Sequence, residues 1–144
     1  MARLILHTSE LKGLYGAWLD QCKGERFPSA ADLEPAVLRP WLDHLVLVEV
    51  QLDGNYRYLY YGESLASAFG TDMVGRSVED LPAHQRNVLK AEYDELRASR
   101  FPAARVYTAL FNGREETWER LALPFFDSQG EVVAVMVAAY RLEP

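Results

Sequence analysis

Apolar residues along the chain follow two different periods. Within SELKGLYGAWLDQCKG they recur at Leu11, Leu14, Tyr15, Trp18, Leu19 and Cys22. That spacing predicts an amphipathic helix with one face to bury. Thr8 or Ser9 can cap its start, and Gly24 can end it. Gly13 and Gly16 each weaken it by roughly 1 kcal/mol relative to alanine. Pro35 then suits the first turn of a short helix that Pro40 limits, with Leu38, Trp41 and Leu42 facing inward. A second clear helix runs through HQRNVLKAEYDELRAS. It carries Leu89, Tyr93 and Leu96 on one stripe with Val88 beside it, and Phe101-Pro102 breaks it.

Elsewhere the pattern is that of strands. LVLVEV and YRYLYY flank the turn DGN, and Asp-Gly between two such runs predicts a hairpin. ESLASAF reads as a short helix with Leu65 and Phe69 inward, followed by the loop TDMVGRSVEDL with one helical turn. The last third is a meander: ARVYTALF, ETWERLALPFF and VVAVMVAAYRL, with turns at Asn112-Gly113 and Gly130. Joining the first hairpin to this meander gives one five-stranded antiparallel sheet of an α+β fold. The intervening helices then roof one face and leave a sheltered interior. VVAVMVAAY does not alternate and LVLVEV barely does, so both sheet faces are expected to be covered. The N-terminal helix, a partner chain, or both would cover the second face.

Composition narrows the function classes. The 144 residues suit one domain, with 49% apolar and 25% charged residues. The net charge of −6 and the lack of a basic run argue against nucleic acid and anionic lipid as partners. Cys22 is the single cysteine, so no disulfide framework can form within the chain and a reducing, cytoplasmic setting is expected. MARLILHTSE is too short for a secretory h-region, and the longest apolar run is too short to span a bilayer. The three histidines share no metal-ligand spacing with each other or with Cys22, and no metal site is expected.

The stretch from FPSAADLEPAVLRPWLDHLVLVEV through YRYLYYGESLASAFGTDMVGRSVEDL resembles a bacterial PAS domain family. That family shows a proline-rich lead into the first strand and an aromatic second strand ending in glycine. A short helix and a G-x-D-x-x-G-R loop follow, here Gly70, Asp72, Gly75 and Arg76. The resemblance covers about Leu11 to Leu142. The chain departs from the family at Leu59, where an Arg is common, and at Asp43, where a Pro is common. The resemblance implies a PAS fold at 27–144 behind an N-terminal helix and cap at 1–26. It also implies a stand-alone, non-catalytic sensory domain that binds a small ligand or a protein partner. No ligand or cofactor is named by it. The flavin-adduct cysteine of light-sensing relatives has no counterpart, since Cys22 lies in the N-terminal helix.

Period-two geometry places Tyr56, Tyr58 and Tyr60 on one face of the second strand, with Arg57, Leu59 and Tyr61 on the other. The tyrosines either line a ligand pocket or serve as packing. The candidate pocket comprises Tyr58, Tyr60, Phe69, Tyr93, Trp118 and Arg120. Trp118 and Arg120 share a face. If it is interior, Arg120 needs an anion from a ligand or a protein Glu. If it is exposed, Glu115 or Glu116 pairs with it, and this second arrangement is the expected one. His84 could hold non-covalent haem or simply sit in solvent. Leu11, Leu14, Tyr15, Trp18 and Leu19 form the candidate dimer or partner face, and a homodimer or a signalling-protein partner is expected. Two alternatives remain. One is an interaction module whose pocket is filled by its own rings. The other is a small pocket enzyme of the ketosteroid isomerase type, which needs a Tyr and a carboxylate in the cavity.

Overall fold

The computed structural model describes residues 4–22, 28–29, 35–111 and 113–142. Helix α1 (Ser9–Cys22) is followed by α2 (Pro35–Leu38), which runs on into a 3-10 turn at Arg39–His44. Strands β1 (Leu45–Val50) and β2 (Tyr56–Tyr61) form the first hairpin. Helix α3 (Glu63–Phe69), a 3-10 turn at Val78–Asp80 and helix α4 (Ala83–Ser99) come next. Strands β3 (Ala103–Phe111), β4 (Arg114–Phe126) and β5 (Val132–Arg141) complete the chain. Pairing is antiparallel throughout, in the order β2-β1-β5-β4-β3.

The first hairpin closes as its sequence dictates. Gly54 takes φ +86°, a conformation that side chains with a Cβ resist, and the Asp53 carboxylate accepts the Asn55 N–H at 3.0 Å. Gly113 likewise has a positive φ, while Asn112, Gly24 and the boundary expected between 26 and 27 lie outside the described residues. Gly62 ends β2 for a different reason. A Cβ there would meet the Asp43 carbonyl oxygen at 2.4 Å, because the chain passes directly against the 3-10 turn before β1.

The G-x-D-x-x-G-R loop is stitched to the free edge of β2. Tyr58 N–H donates to the Arg76 carbonyl at 2.9 Å, and Gly75 N–H donates to the Tyr58 carbonyl at 2.8 Å. An Asx turn at Asp72 and the capping box of Ser77 and Asp80 hold the loop's shape. The aromatic edge strand is thereby covered rather than left open to pairing.

Both sheet faces are indeed covered, as the apolar runs of β1 and β5 require. On the inner face, Val46, Val48, Val135 and Val137 pack under Leu65 of α3 and under Leu89, Tyr93 and Leu96 of α4. On the outer face, Leu121, Leu123, Phe125 and Met136 pack under Leu11, Leu14 and Trp18 of α1. The Trp18 indole N–H also donates to the Pro124 carbonyl at 3.0 Å. The start of α1 is fixed by Glu119, which is 1% exposed. Its carboxylate accepts the backbone N–H of His7 at 2.6 Å and of Thr8 at 2.9 Å, and the Thr8 hydroxyl at 2.9 Å. A carboxylate at this place satisfies orphan donors and meets the positive end of the helix dipole. No helix among the described residues is long and apolar enough to cross a membrane.

Candidate functional site

A cavity of about 590 Å³ lies between the inner sheet face and helices α3 and α4. Its floor draws on all five strands, with Val46 of β1 and Ala139 of β5 between the contributions of β2, β3 and β4. Its roof comes from Leu65, Leu81 and Leu89. The tyrosine strand supplies two phenols, Tyr58 and Tyr61, whose rings meet edge to face at 5.6 Å.

Tyr61 and not Tyr60 lines the cavity, contrary to strict alternation. A β-bulge explains the exchange. Tyr60 pairs with Leu47 and Tyr58 with the next residue, Val48, so Leu59 has no partner on β1. One extra residue turns the strand's last two side chains over. Tyr60 is therefore 37% exposed, and its hydroxyl donates to the Leu42 carbonyl at 2.9 Å.

The charged end of the cavity is built across two strands and a helix. Arg120 of β4 lies directly opposite Arg105 of β3. Facing like charges destabilise a sheet pair unless an anion intervenes. Glu92 of α4 is that anion. Arg120 Nε donates to its two oxygens at 3.1 and 3.2 Å, and Arg105 Nε and Nη2 reach Oε2 at 3.3 and 3.2 Å. Arg120 Nη2 also donates to the Tyr93 hydroxyl at 3.0 Å. Arg105 stacks over the Tyr107 ring at 5.0 Å.

Each ionisation in the cluster has a physical cause. Burial pushes the Glu92 carboxyl up, but Arg120 and Arg105 outweigh it and hold the group below its ordinary value. Burial also works against the Arg120 charge, and Glu92 more than offsets it, so the guanidinium stays charged. Burial pushes the phenols of Tyr58, Tyr93 and Tyr107 up, and that of Tyr61 up to about 12.

The expected pocket residues thus divide. Tyr58, Tyr93 and Arg120 come together at the cavity. Tyr60 points outward. Trp118 is buried on the inner face farther along β4, where its indole N–H donates to Glu116 at 3.3 Å. The Phe69 side chain lies outside the described residues. The exposed arrangement expected for Arg120 is corrected: its side chain is only 13% exposed and Glu92 is its partner. Glu116 pairs instead with Arg141 at 3.3 Å. His84 stands exposed at the cavity rim.

The candidate partner face divides as well. Leu11, Leu14 and Trp18 are consumed by the chain's own sheet, Tyr15 is half-buried, and Leu19, 47% exposed, looks outward. Arg105, Glu92, Tyr61 and Tyr107 were not anticipated. One signal was present for the arginines: Arg105 and Arg120 are equidistant from the Asn112-Gly113 turn, so a tight hairpin there must oppose them.

The five-stranded antiparallel sheet, roofed by helices over a cavity, is a PAS-like fold, an architecture that suggests a sensory or signalling module. The sequence matches the PAS fold family over residues 42–142, and the chain belongs to that family. Solved structures agree on the fold. The PAS domain of Bordetella pertussis BvgS superposes with a TM-score of 0.61 at 17% identity, covering 76% of this chain and 83% of that one. A sensory box sensor histidine kinase from Vibrio cholerae gives 0.56 at 18% identity, covering 76% and 91%. VqmA bound to DPO gives 0.57 at 13% identity, covering 69% of this chain and 52% of that one, so this chain spans about half of VqmA. No curated protein matches the chain.

Proposed function

We propose that this PAS domain is a non-catalytic sensor that binds a small organic molecule between its inner sheet face and helices α3 and α4. The observation that carries the reading is the cavity of about 590 Å³, a volume ordinary for a small-molecule site. Its lining has the usual character of such sites, apolar walls with a few convergent polar groups. VqmA, similar in fold, is described bound to DPO, which favours an occupant over a self-filled pocket. Proton transfer of the ketosteroid isomerase kind gains no support. Among the described residues no carboxylate lines the cavity, and Glu92 is held as the anion of two guanidiniums.

The occupant would act by population shift, favouring one packing of the sheet and α1 over another. Arg120, in the cavity, and Glu119, on the α1 N-terminus, are successive residues of β4. A second copy of the chain or a signalling protein would read α1 and the outer sheet surface around Leu47 and Leu59, which α1 leaves uncovered. Native mass spectrometry with an absorption spectrum of the same sample tests this. A bound mass or a chromophore supports the reading. A bare chain that takes up no compound from a broad small-molecule panel refutes it.

A further inference from the structure

The charge balance of the cavity specifies more than its size does. The chain as a whole carries −6, yet the charged side chains lining the cavity are Arg105 and Arg120, and no Asp or Glu lines it among the described residues. Glu92 neutralises one of the two guanidiniums from behind. One positive charge is left over at a site whose other walls are mostly apolar or phenolic, with His84, Gln85 and Thr108 as uncharged polar neighbours.

The donors of Arg120 are also incompletely used. Its guanidinium has five N–H groups. Nε serves Glu92 and Nη2 serves Tyr93, while Nη1 makes no hydrogen bond among the described residues. Nη1 is not sealed in protein either, because the buried, unpartnered side-chain polar atom among those residues is Gln21 Oε1. Nη1 therefore keeps accessible surface, and the cavity is the one that Arg120 lines among the described residues. The phenol oxygens of Tyr61 and Tyr107 likewise make no hydrogen bond among the described residues. Burial keeps both phenols protonated and therefore able to donate.

From this we infer that the occupant is a small organic monoanion, a carboxylate on an apolar or aromatic body, held carboxylate-first against Arg120. This rests on the ligand-binding reading above. A guanidinium edge and phenol donors complement the two oxygens of a carboxylate. One surplus positive charge matches one negative charge, whereas a phosphate dianion would bring a second charge with nothing to meet it. Leu65 and Leu89 on the roof, and the Tyr58 and Tyr61 rings on the floor, supply the apolar enclosure for the body of the molecule.

The test is calorimetric titration of the full chain with matched pairs: phenylacetate against phenylacetamide, and hexanoate against hexanamide. Charge-assisted hydrogen bonds exceed neutral ones by roughly the amount that gives a tenfold affinity ratio, so each acid should bind about 10-fold more tightly than its amide. R105Q should narrow that ratio, because it cancels the surplus charge while Glu92 stays paired with Arg120. Arg105 sits at the rim with its side chain 37% exposed, so the variant keeps the fold. R120K retains the charge but loses the guanidinium edge, and it should weaken the acids selectively. Amides binding as tightly as acids, or a neutral molecule recovered from the native protein, overturn the anion inference and leave the ligand-binding reading standing. Failure of both pairs at millimolar concentration, together with the bare chain described above, overturns both.

Discussion

Replacing Glu119 by glutamine separates the two ways in which α1 is held. The carboxylate serves three donors at the helix start, the His7 and Thr8 amides and the Thr8 hydroxyl. Glutamine keeps one acceptor oxygen and turns an NH₂ group toward the remaining donors. The loss is one charge-assisted bond and the weakening of the other two, together with the charge at the helix N-terminus, about 2–3 kcal/mol. Against this stand Leu11, Leu14 and Trp18, each 6% exposed or less. Burying three such side chains contributes roughly 5–9 kcal/mol. The apolar term wins, so E119Q should loosen the first turn of α1 without releasing the helix. In a chain of this size the melting temperature should fall by about 5–10 °C. Hydrogen exchange read by mass spectrometry should accelerate in peptides covering 4–12, where the Leu11 and Lys12 amides bond to Thr8. Peptides covering 14–22 should be unaffected. Unchanged exchange and melting would show that Glu119 is no anchor. Loss of protection through the whole helix would show that the apolar docking is far weaker than its burial implies.

Two further outcomes follow from local geometry and burial. Gly62→Ala should destabilise by about 1–3 kcal/mol or more, because its Cβ meets backbone that cannot swing away. Gly16→Ala, with nothing within 4 Å of the new Cβ, should stabilise α1 by up to about 1 kcal/mol. Urea denaturation of the pair measures both signs. Tyr56, in contact with Asp94, and Tyr61 are pushed up to about 12 by burial, from an ordinary value of 10.0. A raised folded-state value means the native state holds protons that the unfolded chain has already lost. Stability from these groups is complete below pH 10 and is lost as pH rises from there toward 12. Phenolate absorbance should therefore lag in the native protein across that window and appear fully on unfolding. Normal titration of all eight tyrosines near pH 10 would contradict the burial argument.

The architecture was legible because it is written in local signals. Turn residues at Asp53-Gly54, helical spacing through α1 and α4, and the poorly alternating apolar runs LVLVEV and VVAVMVAAY each constrain their own segment. The site was less legible because it depends on two features that no local signal marks. The bulge at Leu59 leaves no trace in composition, yet it exchanges Tyr60 for Tyr61 at the cavity wall. The partner of Arg120 lies 28 positions earlier on another element, so the choice between an internal and an external carboxylate could not be made from alternation. Alternation did separate Glu119 from its neighbours on β4, but it could not show that a helix end would be waiting for it.

The alternation of Glu119 and Arg120 has a consequence for how the chain avoids misfolding. LALPFF in β4 and VVAVMVAA in β5 are apolar on both faces, so their side chains do little to penalise a slip of one residue. The two charges supply the missing penalty. A one-residue slip of β4 would turn Glu119 onto the inner, cavity face and Arg120 onto the outer face under α1. Both ions would lose their partners together, and each such loss costs about 3–5 kcal/mol. Two adjacent residues thereby act as a proofreading device for an otherwise degenerate pair of strands, before any ligand arrives.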